Sequence, residues 1–279
     1  MKIATNMLAV LALGVGAASG NAFAAQAPWK GTADYTVAPG AAGDEDTVGL
    51  FSTYDLAAGS PVLIKALNGA NPFNPSVGNE FQGYYQSYIS RHQLGKVGVS
   101  SPNLNTLGSG SGYELTVAAS FKEKITGVSA SAFTFDVISG DIKFYFDTLP
   151  NYNFSGDSGF TDGGAILTGT ILNGSGTFVN NTFGVTKLNV RVDSYNTSVF
   201  EPDTIVAGSS IFTLELDPGR SSSDVKSVLG HSYDSSADVL LMADGNFALA
   251  VPEASNYIMM LMGLGMVGFM TMRRRNIFS

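Results

Sequence analysis

Cysteine is absent from the 279-residue chain. Disulfides and thiolate metal sites are therefore excluded, and the fold must be held by burial or by bound ions. Histidine is nearly absent, with only His92 and His231, and no G-x-S-x-G elbow accompanies them. A Ser-His-Asp hydrolase would need one of these two rings held by a carboxylate and facing a serine. Basic residues are also scarce: 15 Lys and Arg stand against 23 Asp and Glu, for a formal net charge of −8. No cluster of Lys and Arg in the interior offers a phosphate-binding footprint, so nucleic acid is excluded as a partner. Long apolar runs are missing between residues 25 and 252, and they occur only at the two ends.

The first end reads as a targeting segment. Met1-Lys2 precedes an apolar run from Met7 to Ala18, and Ala22-Phe23-Ala24 supplies the small side chains that signal peptidase accepts. The run is too short for a comfortable membrane span of roughly 20 residues. Export through the Sec translocon and cleavage after Ala24, or one residue later after Ala25, are expected. At the other end, Val251-Pro252-Glu253-Ala254 leads into Tyr257 to Met272, a stretch without charge, closed by Arg273, Arg274 and Arg275. As a helix that stretch would be about 24 Å long, short of a typical ~30 Å hydrocarbon core. The arginines would snorkel and hold the cytoplasmic side.

This order of Pro-Glu motif, glycine-bearing apolar helix (Gly263, Gly265, Gly268) and terminal arginine cluster resembles the PEP-CTERM sorting signal of Gram-negative exopolysaccharide producers. Ala254 departs from the second proline usual in that family. The resemblance implies that an exosortase recognises Val251, Pro252, Glu253 and Ala254 and removes the tail. The protein would then be anchored transiently in the inner membrane before reaching the cell surface or matrix. Gly112-Tyr113-Glu114-Leu115-Thr116 and Phe144-Tyr145-Phe146-Asp147 are similar to stretches of flocculation-associated PEP-CTERM proteins. That likeness implies association with exopolysaccharide and a part in biofilm or floc formation.

Residues 25–250 are expected to form one all-β ectodomain between a signal peptide (1–24) and a sorting region with a single transmembrane helix (251–279). Leu115, Val117, Ala119 and Phe121 alternate with Thr116, Ala118, Ser120 and Lys122, and the same period-two pattern recurs over 133–137, 142–146, 188–192 and 212–216. Each run buries one face of a strand and wets the other. Glycine clusters such as 108–112, 162–164 and 173–176 read as turns between runs. An antiparallel β-sandwich or jelly-roll is the expected architecture. Within residues 25–252, 22 acidic residues outnumber 11 basic ones, which favours solubility.

Little in this domain points to catalysis, and a non-enzymatic role is expected. Surface or loop positions are expected for both histidines. Asp44-Glu45-Asp46 reads as a solvated charge run. Asn151, Asn153, Ser155 and Asp162 fall at EF-hand-like spacing and would offer oxygen ligands to calcium, although a Gly/Asn-rich hairpin is the simpler account. Tyr84, Tyr85 and Tyr88 would either stack on sugar rings or pack the core, and packing is favoured. A carbohydrate-binding module and a secreted polysaccharide hydrolase are the alternative readings.

Overall fold

A computed structural model describes residues 26–107, 111–179, 183–205, 209–217 and 224–252, together with 262 and 264. Ala22, Ala24, Glu253, Ala254, Tyr257, Gly263, Gly265, Gly268 and Arg273 to Arg275 lie outside the described residues. Among the described residues no helix is long and apolar enough to cross a membrane.

Alternation of apolar and polar side chains, sustained well past the runs visible in sequence, builds a chain made almost wholly of strands. In order they are β1 (Gln26–Pro28), β2 (Gly31–Asp34), β3 (Thr47–Phe51), β4 (Thr53–Leu56), β5 (Ser60–Ala66), β6 (Glu80–Leu94) and β7 (Val97–Val99). There follow β8 (Glu114–Val128), β9 (Ala132–Asp147), β10 (Gly164–Val179), β11 (Phe183–Tyr195), β12 (Phe200–Glu201) and β13 (Ser209–Asp217). The last are β14 (Ser227–Val228), β15 (His231–Ser232), β16 (Asp238–Ala248) and β17 (Ala250–Pro252). A 3-10 turn, Tyr35–Val37, sits between β2 and β3, with the Asp34 side chain accepting from the Thr36 N–H at its start.

Ten strands join in one sheet whose pairings are all antiparallel. The order runs β6, β8, β9, β10, β11, β13, β16, and each neighbour in this series is the next long strand in the chain. β16 then pairs on its other side with β4 and β5, and both of these pair with β6. β4 and β5 act as one stave broken at Ala57–Gly59, so the sheet closes on itself as an eight-stave up-and-down barrel. The antiparallel all-β expectation holds. The shared core expected between two faces is made by opposite walls of one closed sheet. The Greek-key crossings of a jelly-roll are absent, since the circuit follows chain order.

Inward positions fill the barrel unevenly along its axis. At one end, Tyr54, Val117, Phe144, Phe146 and Phe247 are buried, and a plug formed by the N-terminal segment meets Phe146 through Tyr35 and Tyr54 through Phe51. β2, β3 and β12 form a three-stranded patch over this end. From it Trp29, Tyr35 and Phe51 enter the core, with the Trp29 ring edge-on to Phe51 at 5.4 Å and to Phe200 at 6.1 Å. Burying each such aromatic contributes about 1.5–3 kcal/mol. β1 and β17 make a separate two-stranded ribbon beside the plug, with Gln26 opposite Pro252.

At the other end glycines alternate with phenylalanines at the inward positions. Gly83 lies directly across from Phe121 and Gly176 directly across from Phe135. A Cβ on Gly83 would come within 2.4 Å of the Phe121 ring, and one on Gly176 within 2.2 Å of the Phe135 ring. Each phenyl ring therefore lies against the wall over its neighbour's glycine. This corrects the reading of 173–176 as a turn: the segment is inside β10, with Asn173 paired to Asn189 and Gly176 to Thr186. The glycines there make room for rings.

Candidate functional site

The wall-hugging rings leave a cavity of about 730 Å³ in the mouth of the barrel. Its walls come from β5, β6, β8, β9, β10, β11 and β16. The loop Pro72–Pro75 and the hairpin Ser129–Ser131 form the rim, where Phe73 and Val128 stand exposed. Inside, the lining side chains are mostly apolar.

Two polar side chains interrupt it. Glu123 follows Phe121 on the inward face of β8, where alternation calls for an apolar residue, and it is only 7% exposed. No hydrogen bond or ion pair reaches its carboxyl among the described residues. Burial alone pushes this carboxyl up to about 8, because the charged form loses its hydration and gains no partner. Thr186, 1% exposed, contributes a hydroxyl from β11. The sequence reading passed over Glu123; its signal was a single carboxylate on the core face of an alternating strand.

The plugged end carries several more buried polar groups. His92 is fully buried, which corrects the expectation of a surface position. Its Nε2 shares a hydrogen bond of 2.7 Å with the Tyr35 hydroxyl, which lies 3.1 Å from that of Tyr54. Desolvation holds the imidazole down at about 3, so it is neutral. Of the Asp44-Glu45-Asp46 run only Asp44 is exposed as a solvated charge would be. The Glu45 carboxylate accepts from the backbone N–H groups of Ala42, Gly43 and Asp44, and Asp46 accepts from the Asn103 N–H and the Tyr113 hydroxyl. Both side chains are buried and brace the plug.

Of the oxygen ligands proposed for calcium, Asn153 and Ser155 lie in a turn of their own. Asn153 Oδ1 accepts from the Gly156 N–H within a tight Asn153–Ser158 turn, and Ser155 is exposed. Asn151 does meet Asp162, donating to it at 3.2 Å. Asp162 instead approaches Glu114 and Asp147, one carboxylate oxygen of each lying within 4.8 Å of the others. Glu114 Oε2 accepts from the backbone N–H groups of Asn151 and Tyr152, and its buried Oε1 has no partner. Burial pushes Glu114 up to about 7, with the Asp147 and Asp162 charges adding to the rise and the two backbone donors opposing it. Three such carboxylates are ligands of the kind calcium takes. They are spread over β8, β9 and the loop before β10, beyond the reach of a motif scan.

The three tyrosines of β6 are all engaged. Tyr85 is buried inside the barrel, Tyr84 stacks on the exposed His231 at 3.7 Å, and Tyr88 stacks on Tyr152 at 3.9 Å. Of the sorting motif, Val251 and Pro252 are described: they pair with Ala27 and Gln26 in the β1–β17 ribbon. No family model, curated protein or solved structure matches the chain.

Proposed function

We propose that the chain is an exported, non-enzymatic barrel protein of the cell surface or extracellular matrix, associated with exopolysaccharide and contributing to biofilm or floc formation. In this reading the Sec translocon and signal peptidase handle the first end. An exosortase then removes the tail after transient anchoring in the inner membrane. The order of motif, apolar stretch and arginine cluster at 251–279 carries the proposal. The β1–β17 ribbon supports it: the residues just after the expected signal cleavage and those at the start of the sorting motif lie side by side at the plugged end. β16 runs from the cavity, at Val239 and Leu241, to that ribbon, so the mouth opens at the end opposite the ribbon.

Mass spectrometry of the surface-exposed protein tests the sorting. The expected N-terminus is Ala25 or Gln26, and the expected C-terminus lies before the arginine cluster; a surface form retaining Arg275 overturns it. Deleting the gene is expected to weaken cell aggregation while polymer synthesis continues, and normal flocculation in the deletion strain overturns the role. A sugar-binding platform has less support, because Tyr84, Tyr85 and Tyr88 are spent on packing. A retaining hydrolase wants two carboxylates about 5 Å apart in a cleft. Glu114, Asp147 and Asp162 meet the distance, but Glu114 is fully buried.

A further inference from the structure

Protein interiors pack as densely as organic crystals, and voids much larger than a water are few. A cavity of about 730 Å³ is therefore anomalous as mere packing. Its size falls within the range of small-molecule pockets, roughly 300–1,000 Å³, and its apolar lining with a few polar groups matches their usual composition. Water reaches the hollow through its open rim but finds few polar side chains inside, chiefly Glu123 and Thr186, so an apolar occupant would displace it favourably.

The head group of an occupant follows from charge. No Lys, Arg or His lines the cavity, and Glu123 is the one titratable group among the described lining residues. An anionic head would meet no cation there and would face a carboxyl group. A protonated amine would convert the unpartnered carboxyl into a paired carboxylate, the arrangement under which buried charge is tolerated. The negative charge of the whole chain favours the approach of a cation.

We propose that the barrel mouth binds a small amphiphilic amine, its apolar body lying among Phe81, Phe121, Phe135 and Phe178 and its ammonium group on the Glu123 carboxylate. The amine enters between the Pro72–Pro75 loop and the Ser129–Ser131 hairpin, and Phe73 lies at that entrance. Because burial holds Glu123 protonated near neutral pH in the free protein, binding of R–NH3⁺ at pH 7 releases the carboxyl proton to solvent. This inference stands apart from export and sorting, since it concerns the lumen alone.

The test is calorimetric titration of the full chain, held in lipid nanodiscs so that no detergent competes, with decylamine, decanol and decanoate. Empty nanodiscs supply the blank. Saturable 1:1 binding of decylamine is expected, about 10-fold weaker binding of decanol, and decanoate about 100-fold weaker still. Repeating the decylamine titration in two buffers of different ionisation enthalpy is expected to show release of close to one proton at pH 7. Glu123→Gln is expected to bring decylamine down to the affinity of decanol and to abolish proton release. Should that variant fail to fold, Glu123→Asp, which keeps the carboxyl but shortens its reach, is expected to retain proton release with weakened binding. Absence of saturable decylamine binding, equal affinity for decanoate, or undiminished amine affinity in a folded Glu123→Gln variant would each overturn the proposal. A failure here leaves the mature termini untouched, and an uncleaved tail would leave the titration untouched.

Discussion

At the plugged end, Tyr35, Tyr54, His92, Tyr113 and Asp46 are buried and hydrogen-bonded to one another or to backbone. At the mouth, Glu123 is buried to a similar degree and bonded to nothing among the described residues. One barrel thus contains two answers to the problem of polar atoms in a core. The plug satisfies these five with neighbours, Tyr35 and Asp46 coming from a separate stretch of chain, residues 29–51, while Glu114 Oε1 beside Tyr113 is left over. The mouth leaves its carboxyl bare in a hollow kept open by Gly83 and Gly176. A buried polar group satisfied in place adds rigidity, whereas one left unsatisfied lowers stability and awaits a partner. The plug is the structural end, and the mouth is the end with capacity to bind.

The contrast is open to direct attack. The largest effect is expected from truncating the same side chain at each end. Phe144→Ala, beneath the plug, should cost about 3–5 kcal/mol in urea unfolding, while Phe135→Ala, beside the existing hollow, should cost about half as much. Equal costs would mean that the mouth is as tightly packed as the plug.

Next comes Glu123→Leu, which should stabilise the barrel by about 4 kcal/mol at pH 8 and little at pH 4. Glu123 titrates at about 8 when folded, above its ordinary carboxyl value of 4.5. The folded state then holds a proton that the unfolded state has lost, so stability falls as pH rises between those values. Thermal melts across this range should show that slope in the parent chain and its absence in the variant.

His92 should produce the opposite slope. Its folded value of about 3 lies below the ordinary 6.5, so the unfolded state takes up the proton first and stability falls as pH drops through that window. A loss of about 2 kcal/mol is expected at pH 5, and His92→Gln should flatten the curve there. The smallest effect concerns Glu114. Asp162→Asn removes one like charge and should lower the Glu114 titration midpoint by less than about one pH unit, read by carboxyl carbon NMR. No change would mean that burial alone sets it.

The strands at the plugged end were legible because their inward residues are large and apolar: Leu115, Val117, Phe144 and Phe146 alternate cleanly. The same strands continue into the mouth, where the inward series includes Gly83, Glu123, Gly176 and Thr186. Glycine there looks like a turn and glutamate like a surface residue, so the pattern is lost although the backbone does not change. Ring-over-glycine pairing is a cross-strand property and cannot be read along one strand. Closure was hidden for a related reason, because it depends on β16 meeting β4 and β5, nearly two hundred residues earlier. His92 and Asp46 were misread because their partners, Tyr35 and Tyr113, come from other elements. The carboxylate trio of Glu114, Asp147 and Asp162 was assembled by strand ends in the same way.

The pairing of Gln26 with Pro252 makes the described fold topologically a ring. Paired strand residues lie about 5 Å apart, a gap that a few linking residues would span. The order in which the staves are threaded is then a convention of where the ring is cut. A circular permutant joined at this ribbon and opened between β5 and β6 should keep the barrel pairings while moving its new ends to the rim of the mouth. There a tethered chain would sit over the lumen.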